Sequence, residues 1–517
     1  VSLACVLRSK MRWLSGTGSC SLDDDACTVD VARIAPSGNV GTTPPLEPGL
    51  HVRIEDLTFR VVGLLGEGSF GKVWSAVSDQ GAREVAIKDI LCRSETEFRR
   101  AALERQLLQF VGSGGRQDEE SPALIAARRF PSLVACEVVV VGPSAWHVRL
   151  AMSRLPGNPL DGLLDNWRGR LPQDLMDLPK SVEQAGSLSD ASRCARCMLE
   201  QLVPALEHLG TRAHHRDVTP RNILLECQDG QYSFGLVDFG LAVDAPKWKA
   251  ELLSQDIGGD GRYWPTSAWF VLTCGARCLD EYPALLQEYE SCLDLHALGV
   301  CALQCLMERW APEAQGQHSA SGSRQEVKLQ SLRLAWARFW NGMDRLWKPM
   351  FDAFRGGQHM IEKVRRRYAD AGIYNTVSAH LCGVLAALRA LRAVAEIQDL
   401  QVVCDALLLL VRPGTAHDSP TWQDVRVVLS GRSKASPPMH VESRPSGGRH
   451  WLLTGKRTPA DEVKSNSCVR LSCGTPASAG CEVAMTPMES VTATPRFRHR
   501  SLCAPVVIKP HPLVGVV

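Results

Sequence analysis

The sequence predicts an α+β protein in which a small β-rich lobe precedes a larger helical lobe. Short runs of β-branched residues between turn signals fill residues 51–155. Apolar residues at helical intervals dominate residues 156–430. Stretches rich in Ser, Pro and Gly lie at both ends and are too poor in periodic apolar residues to fold alone. We therefore expect a disordered leader, 1–50, and a disordered tail, 431–517.

The β-rich lobe is predicted from four strand-like runs and one helix. The runs are "FRVVGLL", "KVWSAV", "EVAIKDIL" and "CEVVVVG". Between them, residues 94–110 have apolar side chains at helical intervals. Ser94 and Glu97 open this helix with the spacing of a capping box.

The helical lobe is predicted from three long stretches of helical periodicity. They are "ARCMLEQLVPALEHL", "LDLHALGVCALQCLMERW" and "CGVLAALRALRAVAEI". Two segments have the character of insertions: residues 165–190 are rich in Asp, Gly, Pro and Ser, and residues 313–400 are long and helical.

The charge balance argues against two classes of partner. The 517 residues include 58 Lys and Arg against 56 Asp and Glu, so no net field attracts nucleic acid or an anionic membrane. The longest apolar run of the later chain, residues 406–411, is far shorter than a bilayer span. We expect no nucleic-acid partner and no membrane span.

The cysteines favour a reducing environment. Nineteen cysteines, an odd number, are scattered through helical patterns and do not resemble a secreted disulfide framework. Cys194 and Cys197 have metal-ligand spacing, but with Met198 and Leu202 they recur at helical intervals, which favours the buried face of a helix over a metal site. We expect an intracellular, cytoplasmic protein. The sequence starts with Val1 rather than Met, which leaves room for a targeting segment upstream.

A glycine-rich stretch is the first candidate for chemistry. "LLGEGSFGKVW" contains Gly66, Gly68 and Gly71, followed by Val73. Glycines allow backbone N–H groups to approach phosphates closely. A hairpin without a ligand is an equal alternative, whereas a dinucleotide site is disfavoured because "KVWSAV" continues as a strand rather than a helix.

A lysine and a glutamate that could form an ion pair follow the glycine-rich stretch in the sequence. Lys88 ends the β-rich run "EVAIK", and Glu104 lies in the helix after it. Pairing with Glu104 would hold the lysine rigid beside the phosphates. Glu97 is the competing partner, and a solvated surface position is the alternative for both Lys88 and Glu104.

Three oxygen-bearing side chains complete the pattern. In "HRDVTPRN" Asp217 and Asn222 lie five residues apart, and Asp238 of "LVDFG" follows Asp217 after 21 residues. Two carboxylates and an amide suit Mg²⁺ bound to a polyphosphate, with one carboxylate left to orient a hydroxyl. The order and spacing of all these motifs make coincidence a poor explanation.

From about residue 58 to residue 430 the chain resembles the eukaryotic protein kinases, serine/threonine type. The resemblance implies a two-lobed fold that binds ATP and Mg²⁺ between the lobes and phosphorylates a protein substrate. It makes Asp217, Lys88 and Glu104 catalytic, and Asn222 and Asp238 ligands of Mg²⁺. The implied ATP contacts are Gly66, Gly68, Gly71, Val73, Ala86, Lys88, Met152 and Leu224. Asp294 and Gly299 match the family's helix that anchors the catalytic loop.

The chain departs from the family at two positions that normally contact each other. Thr219 stands where most serine/threonine kinases carry a lysine, and Asp260 stands at the position of that lysine's threonine partner. Transfer is therefore expected to be slowed rather than abolished. Three alternatives stay open: a pseudokinase that binds ATP without transfer, a small-molecule kinase of similar fold, and tyrosine specificity, for which Arg221 alone is not enough.

Two further expectations concern the activation segment. Arg216 precedes Asp217, so either phosphorylated Ser254 or the acidic Asp256 is expected to pair with it. In most protein kinases a glutamate and an arginine form a buried pair at the end of this segment. Alignment puts Ser267 and Ser419 at those positions, and we expect the two serines to lie near each other.

Overall fold

The computed structural model combines a six-stranded sheet with a largely helical region that follows it. It describes residues 44–68, 71–80, 83–113, 126–167, 187–252, 257–310, 323–412 and 420–431. The mixed composition agrees with the predicted α+β class. The predicted disordered ends fall outside these ranges, except for residues 44–50 and 431.

The six-stranded sheet is antiparallel throughout, with the order β1-β2-β3-β4-β6-β5. Its strands are β1 His51–Ile54, β2 Leu57–Gly68, β3 Gly71–Ser78, β4 Glu84–Cys92, β5 Leu133–Gly142 and β6 Ala145–Ser153. Alternate apolar side chains such as Ile54, Phe59 and Val61 are fully buried, which is the pattern of a sheet with one face on a core. The predicted strand runs are therefore confirmed.

The packed part of the chain begins earlier than predicted. Leu46, which we assigned to the leader, is only 4% exposed and lies in the same apolar cluster as Phe59 and Ile87. The Arg149 guanidinium donates a hydrogen bond to the carbonyl of Pro44 at 2.5 Å. A single buried leucine in a Pro- and Gly-rich stretch has no periodicity, so the sequence alone does not reveal it.

Helix α1, Glu95–Ser113, packs on the sheet by the face that carries Phe98 and Leu108. The N–H of Glu97 donates to Ser94 Oγ at 3.3 Å, as the capping spacing predicts. The Glu97 carboxylate accepts the N–H of Arg93 at 2.7 Å. Glu97 is thus engaged at the start of the helix.

Two helices of the helical region, α3 Leu188–Gly210 and α7 Leu293–Arg309, pack against each other at its centre. The region's helices as far as residue 309 are α2 Leu160–Trp167, α3 Leu188–Gly210, α4 Ala245–Glu251, α5 Thr266–Cys274, α6 Pro283–Ser291 and α7 Leu293–Arg309. Small sheets are formed by β7 Asn158–Pro159 with β9 Ile223–Gln228 and β10 Gln231–Leu236, and by β8 Ala213–His214 with β11 Val243–Asp244. Cys194, Met198 and Leu202 lie on the buried face of α3, as predicted.

The described part of the predicted insertion at 313–400 consists mainly of three helices. They are α8 Arg324–Gly356, α9 Gln358–Asp370 and α10 Ile373–Arg392, and α11 Gln398–Leu410 and α12 Trp422–Leu429 follow. Helix α8 packs against α9 and α10, and both of these also contact α5. Most of the other predicted insertion, residues 168–186 of 165–190, lies outside the described residues.

In the described part of the chain, no single helix is long and apolar enough to cross a membrane. The bent pair His359–Asp370 and Ile373–Arg392 meets that requirement together, with an angle of 63° between its helices.

Candidate active site

Lys88 is the centre of a buried group of charges. It lies on β4 with 4% of its surface exposed. Its Nζ lies 2.5 Å from Glu104 Oε1 and 2.7 Å from Asp238 Oδ1. Helix α1 supplies Glu104, and the turn after β10 supplies Asp238. Glu104, and not Glu97, is thus the contact of Lys88 that the structure shows.

Lys88 and Asp238 keep each other ionised. Burial lowers the pKa of Lys88, but the charges and hydrogen bonds of Asp238 and Glu104 outweigh it and raise that pKa above its usual value. Burial raises the pKa of Asp238, but Lys88 and the Gly240 N–H outweigh this and hold that pKa below its usual range. A fixed cation therefore lies beside a carboxylate at neutral pH.

The loop that carries Asp217 is held by Asp294 of helix α7. The N–H groups of His215 and Arg216 donate to the two oxygens of the Asp294 carboxylate, each at 2.7 Å. Arg216 has a φ of 63°, in the left-handed region that costs energy for a side chain other than glycine. The two hydrogen bonds hold this strained backbone in place, which gives Asp294 the anchoring position that the resemblance implies.

Asp217 is partly buried and is held by Asn222. Its carboxylate oxygen Oδ2 and its carbonyl oxygen accept hydrogen bonds from Asn222 Nδ2, each at 2.9 Å. Burial is the largest cause that raises the pKa of Asp217 to about 7, and the charge of Asp238 adds to it. A carboxylate with such a pKa is suited to accept a proton from a hydroxyl.

Asp238 and Asn222 offer a donor set that fits Mg²⁺. The Asn222 carbonyl accepts the N–H of Val237 at 2.9 Å, which holds Asn222 next to the turn of Asp238. Mg²⁺ takes oxygen ligands and commonly only one or two carboxylates, with phosphates and water completing its shell. Within the described ranges, no group of three or more His, Cys, Asp or Glu side chains could hold a metal by itself. A metal shared with a polyphosphate is the kind that this pair could bind.

The glycine-rich turn joins β2 to β3. Gly66 faces Val73 across the pair of strands, and a Cβ atom added at Gly66 would meet nothing within 4 Å. Gly71 has a φ of 129°, and a Cβ there would lie 2.1 Å from the carbonyl oxygen of Asp89. Gly71 is therefore required by the fold itself, whatever the turn binds. Gly68 faces Gly71, and residues 69–70 lie outside the described ranges.

Three of the predicted ATP contacts, Val73, Ala86 and Met152, lie on adjacent strands. Ala86 and Met152 face each other across β4 and β6, and Val73 faces Lys88 across β3 and β4. Leu224 lies on β9 in a different sheet, opposite Gly235 and Pro159. The structure therefore brings Val73, Ala86 and Met152 together on one sheet, with Leu224 on another element.

The two departures from the kinase pattern have separate surroundings. Thr219 is 7% exposed, and its carbonyl accepts the N–H of Asn222, so its short side chain is part of the loop's packing. Asp260 forms an ion pair with Arg262 at 2.6 Å. Arg221 is the cation that lowers the pKa of Asp217, although burial and the charge of Asp238 outweigh it.

Ser267, which we aligned to the end of the activation segment, contacts a buried carboxyl of helix α6 that we did not predict. The Ser267 N–H donates to Glu288 Oε2 at 2.7 Å, and Glu288 is 5% exposed. Burial raises the pKa of Glu288 to about 7. No sequence signal distinguishes Glu288 in "LLQEYES" from an exposed helix glutamate. Ser419, Ser254 and Asp256 lie outside the described residues, so their pairings stay predictions.

Taken together, the fold and this site place a buried lysine against two carboxylates, beside a loop whose carboxyl has a raised pKa. Two curated proteins are similar to the chain: serine/threonine-protein kinase dkf-1 of Caenorhabditis elegans and its namesake of Caenorhabditis briggsae. Each is 25% identical to it over 240 residues, which cover 46% of this chain and 26% and 24% of the relatives. The chain thus spans about a quarter of the length of the curated relatives it matches. No protein-family model matches it. These similarities indicate a distant relation to protein kinases, at the level of the family.

Proposed function

We propose that this chain is a protein kinase that transfers the γ-phosphate of ATP, with Mg²⁺, to serine or threonine hydroxyls of protein substrates. The observation that carries the proposal is the contact of Lys88 with Glu104 and Asp238, which lie 16 and 150 residues from it in the sequence. Such a charged group has no packing advantage over apolar side chains, because burying ions is costly. The names of the two relatives support the same activity.

Each residue of the site has one task in this proposal. When bound, ATP with Mg²⁺ supplies the phosphoryl group and neutralises charge on it. Lys88, held by Glu104, would contact the α- and β-phosphates, and Asn222 and Asp238 would hold the metal. Asp217 orients the substrate hydroxyl and accepts its proton as the oxygen bonds to the γ-phosphorus and ADP leaves.

Radioactive phosphate transfer to a generic protein substrate, together with autophosphorylation, tests the proposal. We expect the unmodified chain to transfer phosphate and Asp217→Asn to lose at least about 100-fold in rate, because the proton acceptor is gone. Lys88→Met should lose a similar factor, because its charge acts on the phosphates. Asp229→Asn and Lys363→Met change exposed residues of the same types and should retain the rate.

ATP binding, measured by calorimetry, separates the remaining outcomes. Asp217→Asn should bind Mg-ATP as tightly as the unmodified chain, because Asp217 is not proposed as a metal ligand. Binding without any transfer by the unmodified chain would make it a pseudokinase. If the unmodified chain neither binds Mg-ATP nor transfers phosphate, the site itself is rejected.

A further inference from the structure

A short segment of the helical region lies directly over the candidate base. Gly259 has a φ of 89°, and a Cβ added there would lie 2.5 Å from the carbonyl oxygen of Arg216 and 3.5 Å from Asp217 Oδ1. The backbone of residues 257–264 thus contacts the loop that carries Asp217. We call these residues the cover segment.

The other side of the cover segment is packed against helix α8 of the insertion. A Cβ added at Gly261 would lie 2.5 Å from Cε3 of Trp347, so the indole ring lies against the Gly261 backbone. The rings of Trp347 and Trp264 meet edge to face, with centroids 5.4 Å apart. Trp347 is 4% exposed, so this contact is part of the core.

Trp264 connects this packing to the residues over the base. Its Nε1 donates a hydrogen bond to the carbonyl of Gly258 at 2.8 Å. A continuous series of contacts therefore runs from Trp347 through Trp264 to Gly258 and Gly259, and on to Asp217. Helix α8 adds an ionic contact, because Asp344 lies 3.5 Å from Arg262 of the same segment.

We propose that Trp347 is a positioning residue for phosphate transfer, which holds the cover segment against Asp217. The inference rests on the proposed kinase function. It gives the insertion a task in catalysis, because helix α8 supplies the surface that fixes the cover segment.

The positioning should act on the geometry of Asp217. A cover that is held in place fixes the loop of the candidate base, because Gly259 lies against the Arg216 carbonyl and Asp217 Oδ1. A loosened cover lets this loop move. The geometry for proton transfer then becomes less well defined, which slows the chemical step.

Kinetics of Trp347→Ala test the proposal against a matched variant. Trp336→Ala removes another tryptophan of helix α8, which is also 4% exposed. Trp336 does not contact the cover segment by its ring directly but through Trp340, whose ring meets that of Tyr263. With rates corrected for the folded fraction, we expect Trp347→Ala to lower kcat at least tenfold with KM for ATP unchanged. Trp347→Phe, which retains an aromatic ring, should recover most of the loss in kcat.

Amide hydrogen exchange of residues 257–264, without ATP, separates this inference from the proposed function. Exchange should be faster in Trp347→Ala than in the unmodified chain or in Trp336→Ala. Gly261→Ala, whose new Cβ displaces the indole ring, should have the same effect and replaces Trp347→Ala if that variant does not fold. Equal exchange, or equal corrected kinetics, in the Trp347 and Trp336 variants would overturn the inference. A chain without transfer activity but with the expected exchange would reject the function and retain the positioning of the segment.

Discussion

Asp217 is the residue whose surroundings determine the expected pH dependence. Its pKa of about 7 results first from burial and then from neighbouring negative charges, among them Asp260. Only the ionised carboxylate accepts a proton, so the rate of transfer should fall as the pH drops below this pKa. The charge of Asp260 makes the carboxylate harder to ionise, and its removal should lower the pKa of Asp217.

We therefore predict that Asp260→Asn moves the acid limb of the kcat/KM profile to lower pH. The measurement is a pH–rate profile at saturating Mg-ATP. The nucleotide is bound to the unmodified chain and to the variant alike, so its own effect on the acid limb is the same in both. Asp229→Asn, which changes an exposed carboxylate, should leave the limb in place. An acid limb at higher pH in Asp260→Asn would contradict the assignment of Asp217 as the base.

At the residue scale, the sequence was informative where function imposes a fixed spacing. The intervals between Lys88, Glu104, Asp217 and Asp238 predicted residues that the structure brings to one place, although their roles stay predictions. Glu288 was missed because burial of a helix glutamate depends on what packs over it from elsewhere in the chain. A local pattern contains no record of such distant contacts.

The junction of helices α5 and α6 has its own pH dependence. Glu288 of α6 accepts a hydrogen bond from the Ser267 N–H in the first turn of α5, where the helix dipole favours a negative charge. Burial nevertheless raises the pKa of Glu288 from 4.5 to about 7. The protonated form is thus the one that the fold favours.

We predict that the free energy of unfolding falls as the pH rises from about 4.5 to about 7, because the folded chain holds this proton more tightly than the unfolded chain. The full contribution, present below the lower value, is about 3 kcal/mol by the pKa difference. Glu288→Gln keeps an acceptor for Ser267 and should flatten this dependence in urea unfolding between pH 4 and 8, whereas exposed Glu281→Gln should not. An unchanged slope in Glu288→Gln would refute the assignment.

Elements were predictable where periodicity is strong. The spacing of Trp336, Trp340, Met343 and Trp347 in the insertion marks one helical face, and that face is largely buried in α8. The partner of this face was not predictable, because a periodic pattern shows that a face is covered but not by which segment.

At the scale of the whole molecule, the boundary of the folded unit follows from Leu46 and Pro44 rather than from residue 51. We predict that a fragment of residues 44–431 is as stable to urea as the full chain. A fragment of residues 51–431 should lose about 2 to 4 kcal/mol, the usual effect of removing a buried leucine. Leu46→Ala should reproduce most of the loss in the full chain, whereas Leu65→Ala, at 47% exposed, should not. Equal stability of the two fragments would place the boundary at residue 51 after all.

The ion pair of Lys88 with Asp238 also sets an order of events during synthesis of the chain. The six strands of the sheet are complete at Ser153, but Asp238 is made 150 residues after Lys88. At roughly 5 to 20 residues per second, this interval lasts about 8 to 30 seconds. After Ser153 has been made, a nascent chain that folds its sheet contains Lys88 and Glu104 but still lacks Asp238. The candidate site is therefore completed only after residues 156–238, the first part of the helical region, have been made.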